Sequence, residues 1–283
     1  MNARNYAIEH KAIPMALTLY HDTYRCTGIA EGASAPEMVL IHGWGLHSLV
    51  WDNIIPALLE CFQVTVIDLP GFGRSPVPGG EYDLDYLTEK VLAVAPANAI
   101  WMGWSLGGMI AMNAAIHFPQ RVTGLITVAA TPKFISDERW QLALDPKVLA
   151  HFRELLSEDW EGTLIRFLAL QCKDSITIKQ DIRFLKEAMF FYGRPSIKAL
   201  RCGLDVFRDI DLLDGLAKIA VPTLHVLGEK DNLVPVGISQ EITSYQSNAQ
   251  LAVIKGASHV PFLSEPEIFI AAIMDFIVEH KFA

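Results

Sequence analysis

The sequence predicts an α/β fold, a mostly parallel central sheet with helices on both faces and a helical segment inserted between two of its strands. Three observations lead to this prediction. Short apolar runs alternate with helical patterns, a serine lies between two glycines where one apolar run meets an apolar helix, and one long stretch contains helical patterns only. A chain of 283 residues is long enough to bury a full core around such a sheet.

Six short apolar runs have the length and composition of buried strands. The first, Met38–His42, enters a turn at Gly43, and the second ends at Asp68 before a series of prolines and glycines. The other four are "AIWMG", "RVTGLITVAA", "PTLHVLG" and "AQLAVIKG". Helices are predicted over Tyr82–Ala95 and over the closing stretch "EPEIFIAAIMDFIVEH", which has a proline near its first turn.

The strand signal disappears between Thr131 and Ala220. This stretch contains several helical patterns, including "GTLIRFLALQ" and "ITIKQDIRFLKEAMFF", and the alternation resumes after it. We therefore predict a core formed by residues 1–130 and 221–283, with a helical cap of residues 131–220 above the strand ends. About 20 residues precede "YRCTGIAEG" and leave room for an additional edge strand.

Composition argues against several classes of function. The chain has 23 basic and 32 acidic side chains, a net charge of −9, whereas a general nucleic-acid binder needs a basic surface. No apolar run has the length of a membrane span, and the first residues lack a signal-peptide core. We expect a cytoplasmic monomer without a nucleic-acid or membrane partner. The cysteines follow no metal-binding spacing, so we expect reduced thiols, no metal and no cofactor: Cys26, Cys61, Cys172 and Cys202.

A serine lies in the segment Gly103-Trp104-Ser105-Leu106-Gly107, between the third strand and an apolar helix. A strand–Gly-x-Ser-x-Gly–helix turn is so tight that it strains the serine backbone and lifts the hydroxyl out of the packing. The helix begins at the same point, so its dipole and the Leu106 amide face a developing oxyanion. We predict that Ser105 is a nucleophile. The alternative is a glycine-rich packing turn with an inert serine.

A nucleophilic serine needs a base that is oriented by a carboxylate. His259 follows the last strand, in "KGASHVPFLSEP", and is the predicted base, whereas His225 lies inside a strand and is expected to be a core residue. Asp231, in "LHVLGEKDNLVP", is the predicted carboxylate, and Glu229 is the alternative, expected to be a solvated charge. The order Ser105, Asp231, His259 is the one expected of a triad on this kind of scaffold.

A second oxyanion donor is expected after the first central strand, in "LIHGWGLHS". Gly43 permits a sharp turn, and the Trp44 amide can then point toward Ser105 while its side chain forms a wall of an acyl pocket. The alternative for Trp44 is core packing. His42 is expected to fix the turn rather than to act as a second base.

These residues resemble the α/β-hydrolase family. The segments "HGWG", "DLPGFGRS", "GWSLGG", "GEKDNLVP" and "GASHVPF" occur in family order and cover nearly the whole chain. The similarity is closer to the pimeloyl-[acyl-carrier protein] methyl ester esterase family of biotin synthesis, through "LIHGWGLHSLVWD", "AIWMGWSLGGMIA", "FPQRVTGLITVAATPKF" and the cap segment "RFLALQ".

The resemblance implies a serine carboxylesterase that hydrolyses the methyl ester of pimeloyl-[acyl-carrier protein]. It implies Ser105 as nucleophile, His259 as base and Asp231 as the partner of the base, with Trp44 and Leu106 forming the oxyanion hole. It further implies that an acyl channel is lined by Phe167, Leu168, Ala169, Leu170 and Gln171.

The charge of the cap favours an acidic protein partner. Residues Glu161–Arg201 carry eight basic and four acidic side chains, a net charge of +4, so the rest of the chain carries −13. Lys179, Arg183 and Lys186 share one helix face, beside an apolar stripe on the same helix. Together with Arg166 they are the predicted docking site for an acyl carrier protein, which is acidic. The alternative is an ordinary solvated helix face.

Other functions use the same triad. A generic short-chain carboxylesterase, a carbon–carbon bond hydrolase and a non-catalytic ligand receptor on this fold all remain open. Dehalogenase chemistry is disfavoured because it needs an aspartate at the position of Ser105.

Overall fold

The structure, a computed structural model, describes residues 18–28, 34–77 and 79–282. Seven strands form one sheet in the order β1-β3-β2-β4-β5-β6-β7. All neighbouring strands are parallel except β1 and β3, which are antiparallel. The strands are β1 (His21–Tyr24), β2 (Glu37–Ile41), β3 (Gln63–Ile67), β4 (Ala99–Trp104), β5 (Val122–Val128), β6 (Thr223–Gly228) and β7 (Ala249–Ile254).

The helices follow the alternation that the sequence predicts. Before the insertion they are α1 (Ile55–Leu58), α2 (Leu84–Val94) and α3 (Leu106–His117). Between β5 and β6 they are α4 (Pro146–Glu158), α5 (Trp160–Gln171), α6 (Ile178–Phe191), α7 (Ile197–Asp209) and α8 (Leu213–Leu216). After β6 they are α9 (Ile238–Tyr245), α10 (Pro261–Ser264) and α11 (Pro266–Glu279).

The six predicted apolar runs all form strands, and the reason is their burial. Parallel strands covered on both faces read as continuous apolar runs rather than as alternating ones. Every residue of β4 and of β6 is buried, whereas the edge strands β1 and β7 keep several residues exposed. The mostly parallel sheet is thus confirmed. An edge strand, β1, lies within the long N-terminal stretch, while residues 1–17 of that stretch lie outside the described residues.

The chain reverses direction across the sheet after β2. Strand β3 lies on one side of β2 and β4 lies on the other. Because crossovers between parallel strands are right-handed, the connection through α1 and those through α2 and α3 cover opposite faces of the sheet. In open α/β sheets the ligand site is the crevice at such a reversal, outside the carboxyl ends of the strands. Here that crevice lies between the ends of β2 and β4.

The long connection between β5 and β6 is helical. Its residues form α4 to α8, and the β-contact within it is an isolated bridge between Ile135 and Leu144. The two helices predicted individually there correspond to α5 and α6. Across the described ranges, no helix has both the length and the apolar character needed to span a bilayer.

Candidate active site

Ser105 occupies a strained turn between β4 and α3. Its backbone has φ 53° and ψ −115°, and a positive φ is uncommon for a residue with a side chain. Such a conformation costs on the order of 1–3 kcal/mol and persists only where the surrounding structure enforces it. The Ser105 carbonyl accepts hydrogen bonds from Gly108 at 2.9 Å and Met109 at 3.2 Å, so α3 begins directly at the serine.

The glycines around Ser105 are required by close backbone packing. A Cβ on Gly103 would lie 2.1 Å from the Gly107 carbonyl oxygen, and a Cβ on Gly107 would lie 2.2 Å from the Ile41 carbonyl oxygen. Neither backbone can move away without displacing β2 or β4. The two glycines therefore let α3 start close to the strand ends.

His259 and Asp231 form a buried pair. The Nδ1 atom of His259 lies 2.7 Å from Oδ2 of Asp231, and neither side chain has any exposed surface. The other oxygen, Oδ1, accepts the backbone N–H groups of Leu233 at 2.8 Å and Val234 at 2.9 Å. Because the carboxylate binds Nδ1–H, the lone pair of the imidazole is placed on Nε2.

Glu229, the alternative carboxylate, points elsewhere. It is exposed, and its Oε2 accepts the backbone N–H of Gly256 at 2.9 Å. The structure thus brings Asp231 to His259 and leaves Glu229 at the surface.

His259 is also held through its backbone. Its N–H donates to the carbonyl of Gln171 at 3.0 Å, and its own carbonyl accepts the indole N–H of Trp104 at 2.8 Å. Trp104 precedes Ser105 and packs against the imidazole, with ring centroids 5.8 Å apart. The Nε2 atom of His259 is buried and has no hydrogen-bond partner within the described part of the chain. It is therefore available to a reacting group.

His42 and His225 are buried as well, and their hydrogen bonds are structural, as predicted. The backbone N–H of Leu69 donates to Nε2 of His42 at 2.8 Å, so Nδ1 carries the proton and donates to the carbonyl of Gly43. His225 is hydrogen-bonded to Thr127 at 2.7 Å and Gln246 at 3.2 Å. Burial lowers the pKa of each imidazole to about 4.

Trp44 follows β2, the neighbour of the strand that leads to Ser105. Ile41 on β2 pairs with Gly103 on β4, so the residues that follow these strands emerge beside each other. The Trp44 side chain is buried, and it packs edge-on against Phe167 with ring centroids 4.9 Å apart. Leu106 is the first residue of α3, where backbone N–H groups have no acceptor within the helix.

The helices of the insertion contact the loops at the carboxyl ends of the strands. The α5 carbonyl of Gln171 binds His259, and the α7 carbonyl of Leu200 accepts the Trp44 indole N–H at 3.0 Å. The Nε2 atom of His47 lies 2.6 Å from the α6 carbonyl of Ala188. These contacts place α5, α6 and α7 over the crevice.

The predicted channel residues all lie on α5, but they do not share one face. Each helical residue turns by about 100°, so five consecutive residues point in all directions around the axis. Phe167 and Gln171 are buried, one turn apart, and reach Trp44 and His259, while Ala169 and Leu170 are half-buried. Leu168 is buried as well.

The predicted docking residues are on the outer surface of α5 and α6. All four side chains are exposed: Arg166, Lys179, Arg183 and Lys186. Arg166 lies 3.7 Å from Asp159, and Arg183 lies 2.9 Å from Glu187. The apolar stripe of α6 faces mainly inward: two of its members are buried and two are half-buried, namely Leu185 and Met189, and Ile178 and Ile182. A shallow surface groove is lined by Lys179, Ile182, Arg183, Lys186, Glu187, Phe190 and Phe191.

The contact between α7 and Trp44 is not predicted by the sequence patterns. Leu200 makes this contact through its backbone, which leaves no trace in residue type. Gly203 was a usable signal, because an isolated glycine within a helical pattern usually has a packing reason.

All four cysteines are free thiols, as expected.

The chain is similar in sequence to a known protein family and to named bacterial proteins. The profile of the alpha/beta hydrolase fold family matches residues 36–266. A protein of Edwardsiella ictaluri named pimeloyl-[acyl-carrier protein] methyl ester esterase is 42% identical over 247 residues, which are 87% of this chain and 94% of the relative. A protein of the same name from Pectobacterium carotovorum is 42% identical over 259 residues, 92% of this chain and 98% of the relative.

Solved structures agree with the architecture. An esterase from Exiguobacterium antarcticum superposes with a TM-score of 0.81 at 22% sequence identity, covering 92% of this chain and 95% of that one. At this identity the likeness shows the fold alone.

Proposed function

The chain belongs to the α/β-hydrolase family and, within it, to the pimeloyl-[acyl-carrier protein] methyl ester esterases, and on this premise we propose how it acts. It is a serine carboxylesterase of biotin biosynthesis that converts the methyl ester of pimeloyl-[acyl-carrier protein] into pimeloyl-[acyl-carrier protein] and methanol. The observation that carries the proposal is the buried Asp231–His259 pair, which is bound by Trp104, the residue directly before the strained turn of Ser105.

In the first half-reaction Ser105 Oγ attacks the ester carbonyl carbon while Nε2 of His259 takes the hydroxyl proton. The tetrahedral intermediate collapses, the bond to the methoxy oxygen breaks, and His259 gives its proton to the departing methanol. An acyl-enzyme on Ser105 remains. Asp231 stabilises the imidazolium formed in this step and keeps the ring oriented.

In the second half-reaction water replaces methanol. His259 accepts a proton from the water while the water oxygen attacks the acyl carbon. It then returns a proton to Ser105 Oγ as the bond between Oγ and the acyl carbon breaks. The product is a free carboxylate on the carrier-bound chain. The chemistry that we propose uses side chains and backbone amides only.

The oxyanion of both intermediates lies between two backbone N–H groups, those of Trp44 and Leu106. The first follows β2 and the second opens α3, so both lie at the crevice where the strand order reverses. The α3 dipole adds to the stabilisation, because its positive end is at Ser105.

The acyl chain lies between the core and the cap. We assign the core to residues 1–130 and 221–283 and the cap to residues 131–220. Phe167 and Trp44 provide apolar walls; Leu168 and Leu170 flank this side of α5, whereas Ala169 points away from it. The Oε1 atom of Gln171 is buried and has no hydrogen-bond partner among the residues that the structure covers, so it can accept a hydrogen bond from a bound substrate.

The carrier protein docks on the exposed basic face of the cap. Arg166, Lys179, Arg183 and Lys186 attract its acidic surface, and Phe190 and Phe191 in the same groove offer apolar contact. The rest of the chain is strongly acidic and repels an acidic partner. This distribution guides the partner to the cap, above the catalytic residues. The catalytic unit is a monomer.

The test is hydrolysis of purified pimeloyl-[acyl-carrier protein] methyl ester, with release of methanol, by the wild-type chain. In a parallel assay, expression of the chain should restore growth of a biotin auxotroph that lacks its methyl ester esterase. Activity on p-nitrophenyl acetate without either of these results would favour a generic short-chain esterase. Absence of any ester hydrolysis, with no labelling by a serine-directed phosphonate, would favour a ligand receptor.

A further inference from the structure

We propose that cap helix α7 is a positioning element of the oxyanion hole, acting on Trp44 through Leu200 and Gly203. The inference rests on the proposed function and adds a role for the cap beyond binding the acyl chain and the carrier. It concerns the rate of the chemical step.

The Trp44 side chain is held by two cap helices. Its indole N–H donates to the Leu200 carbonyl on α7 at 3.0 Å, and its ring meets the edge of Phe167 on α5. The side chain is only 2% exposed, so both contacts are shielded from water. A hydrogen bond in such a place is costly to leave unmade.

Gly203 allows α7 to come this close. A Cβ at this position would lie 2.5 Å from Cδ1 and 2.7 Å from Nε1 of Trp44. The indole is a rigid ring, and a contact shorter than 3.0 Å forces it or the helix to move. The Leu200 carbonyl points along the axis of α7 toward the next turn, which contains Gly203 three residues later. Both residues contact the same edge of the indole.

The Trp44 amide is held from two sides: the Gly43 carbonyl of the same peptide unit accepts a hydrogen bond from Nδ1 of His42 at 2.8 Å, and the indole of Trp44 is bound to α7. The residue lies between Gly43 and Gly45, and glycine restricts φ and ψ less than any other residue. The Trp44 amide must nevertheless point at the oxyanion within a few tenths of an ångström, because the donor distance is confined to about 2.7–3.1 Å. His42 holds the carbonyl side of this peptide unit, and the anchored indole holds the Cα that follows the amide. Displacing the ring therefore turns the amide.

The first test is Gly203→Ala. We expect kcat to fall on the order of 10- to 100-fold, the loss typical of a reacting group displaced by about 1 Å. The loss should be equal for p-nitrophenyl acetate and for the carrier-bound methyl ester, with KM within about twofold, because the fault is in the chemical step. Rates are counted per active site by phosphonate titration, so that unfolded protein is excluded.

The matched control is Gly215→Ala. A Cβ there would also be too close to a neighbour, at 2.6 Å from Cδ1 of Ile116, but this is the end of a flexible side chain outside the catalytic machinery. We expect its kcat to stay within about twofold of wild type. A boronic acid inhibitor provides the second measurement, since its tetrahedral adduct places an oxygen in the oxyanion hole. Its affinity for Gly203→Ala should fall by the same factor as kcat.

Trp44→Phe carries the test if Gly203→Ala does not fold. It removes the indole N–H that binds Leu200 and keeps an aromatic ring, and we expect kcat and boronic acid affinity to fall together. Unchanged kcat in either folded variant, or a loss confined to KM or to the carrier-bound substrate, would overturn the inference. A wild-type chain without esterase activity would instead overturn the proposed function, so the two failures are distinguishable.

Discussion

The imidazole of His259 and the carboxylate of Asp231 lie 2.7 Å apart in a site with no solvent-exposed surface on either side chain. Two backbone N–H groups hold the second oxygen of Asp231, so the carboxylate cannot rotate away from the ring. The pair leaves Nε2 as the only ring nitrogen free to take a proton. This arrangement determines the effect of the first two substitutions below.

We expect Ser105→Ala to abolish esterase activity while the fold is kept. Removing the nucleophile of such a triad costs on the order of 10⁶ in turnover. The strained backbone at φ 53° is as unfavourable for alanine as for serine, so stability should change little. The assays are p-nitrophenyl acetate hydrolysis and thermal unfolding. Activity within tenfold of wild type would contradict the assignment of Ser105.

We expect Asp231→Asn to lower kcat by about 10⁴, because an amide at this position favours the wrong tautomer of His259. The matched control is Glu229→Gln, which neutralises a carboxylate two residues away on the same loop. Glu229 binds only the Gly256 backbone in the described structure, so its loss should leave kcat within about twofold. If the control proves the more damaging change, the carboxylate has been assigned to the wrong residue.

We expect charge reversal on the cap to separate docking from chemistry. The variant changes Arg166, Lys179, Arg183 and Lys186 to glutamate. Its kcat/KM should fall on the carrier-bound ester and stay near wild type on p-nitrophenyl acetate, because surface charges govern encounter. Raising the salt concentration should reproduce part of the loss in the wild-type chain.

The control for this variant has the same change in net charge at residues outside the cap. It changes Arg25, Lys255 and Lys281, together with the half-buried Lys90 on α2, to glutamate. We expect a much smaller loss on the carrier-bound ester. Equal losses in both variants would show that overall charge, and not the cap face, guides the partner.

We expect the free energy of unfolding to decrease as the pH is lowered from about 6.5 to 4. Burial lowers the pKa of His42 and of His225 to about 4, whereas an unfolded histidine titrates near 6.5. In this window the unfolded chain binds protons that the folded chain does not, so stability rises with pH and is lost as pH falls. Each histidine contributes a slope of about 1.4 kcal/mol per pH unit.

Urea unfolding at several pH values checks this expectation. Burial also lowers the pKa of His47, so in His225→Gln one of three such histidines is absent, and the slope of stability against pH should become shallower. A slope identical to that of the wild type would mean that His225 does not titrate in this way.

The sequence was sufficient to predict the sheet, the tight turn at Ser105 and the loops that contain Asp231 and His259. Gly103, Ser105 and Gly107 identify the tight turn because the requirement is local and depends on residue size alone. Asp231 and His259 follow consecutive strands, and neighbouring parallel strands bring their carboxyl ends together. These residues could therefore be predicted from short sequence spacings and from the order of the strands.

The contacts between cap and core could not be predicted in this way. Trp44 and Leu200 are 156 residues apart in sequence, and their hydrogen bond depends on how the inserted helices pack. The run Phe167–Gln171 was identified as a segment, but only the helix shows that Phe167 and Gln171 share a side. Such pairings are set by tertiary packing, which leaves no periodic signal.

The hydrogen bond from the His259 amide to the Gln171 carbonyl makes that amide a reporter of cap motion. A backbone hydrogen exchanges with solvent deuterium only when its bond opens, and this bond opens only when the end of α5 separates from the loop after β7. The exchange rate of one amide therefore measures how often α5 separates from His259, the proposed base. An acyl chain bound between them should slow that exchange, and the degree of slowing reports how tightly the substrate seals the site.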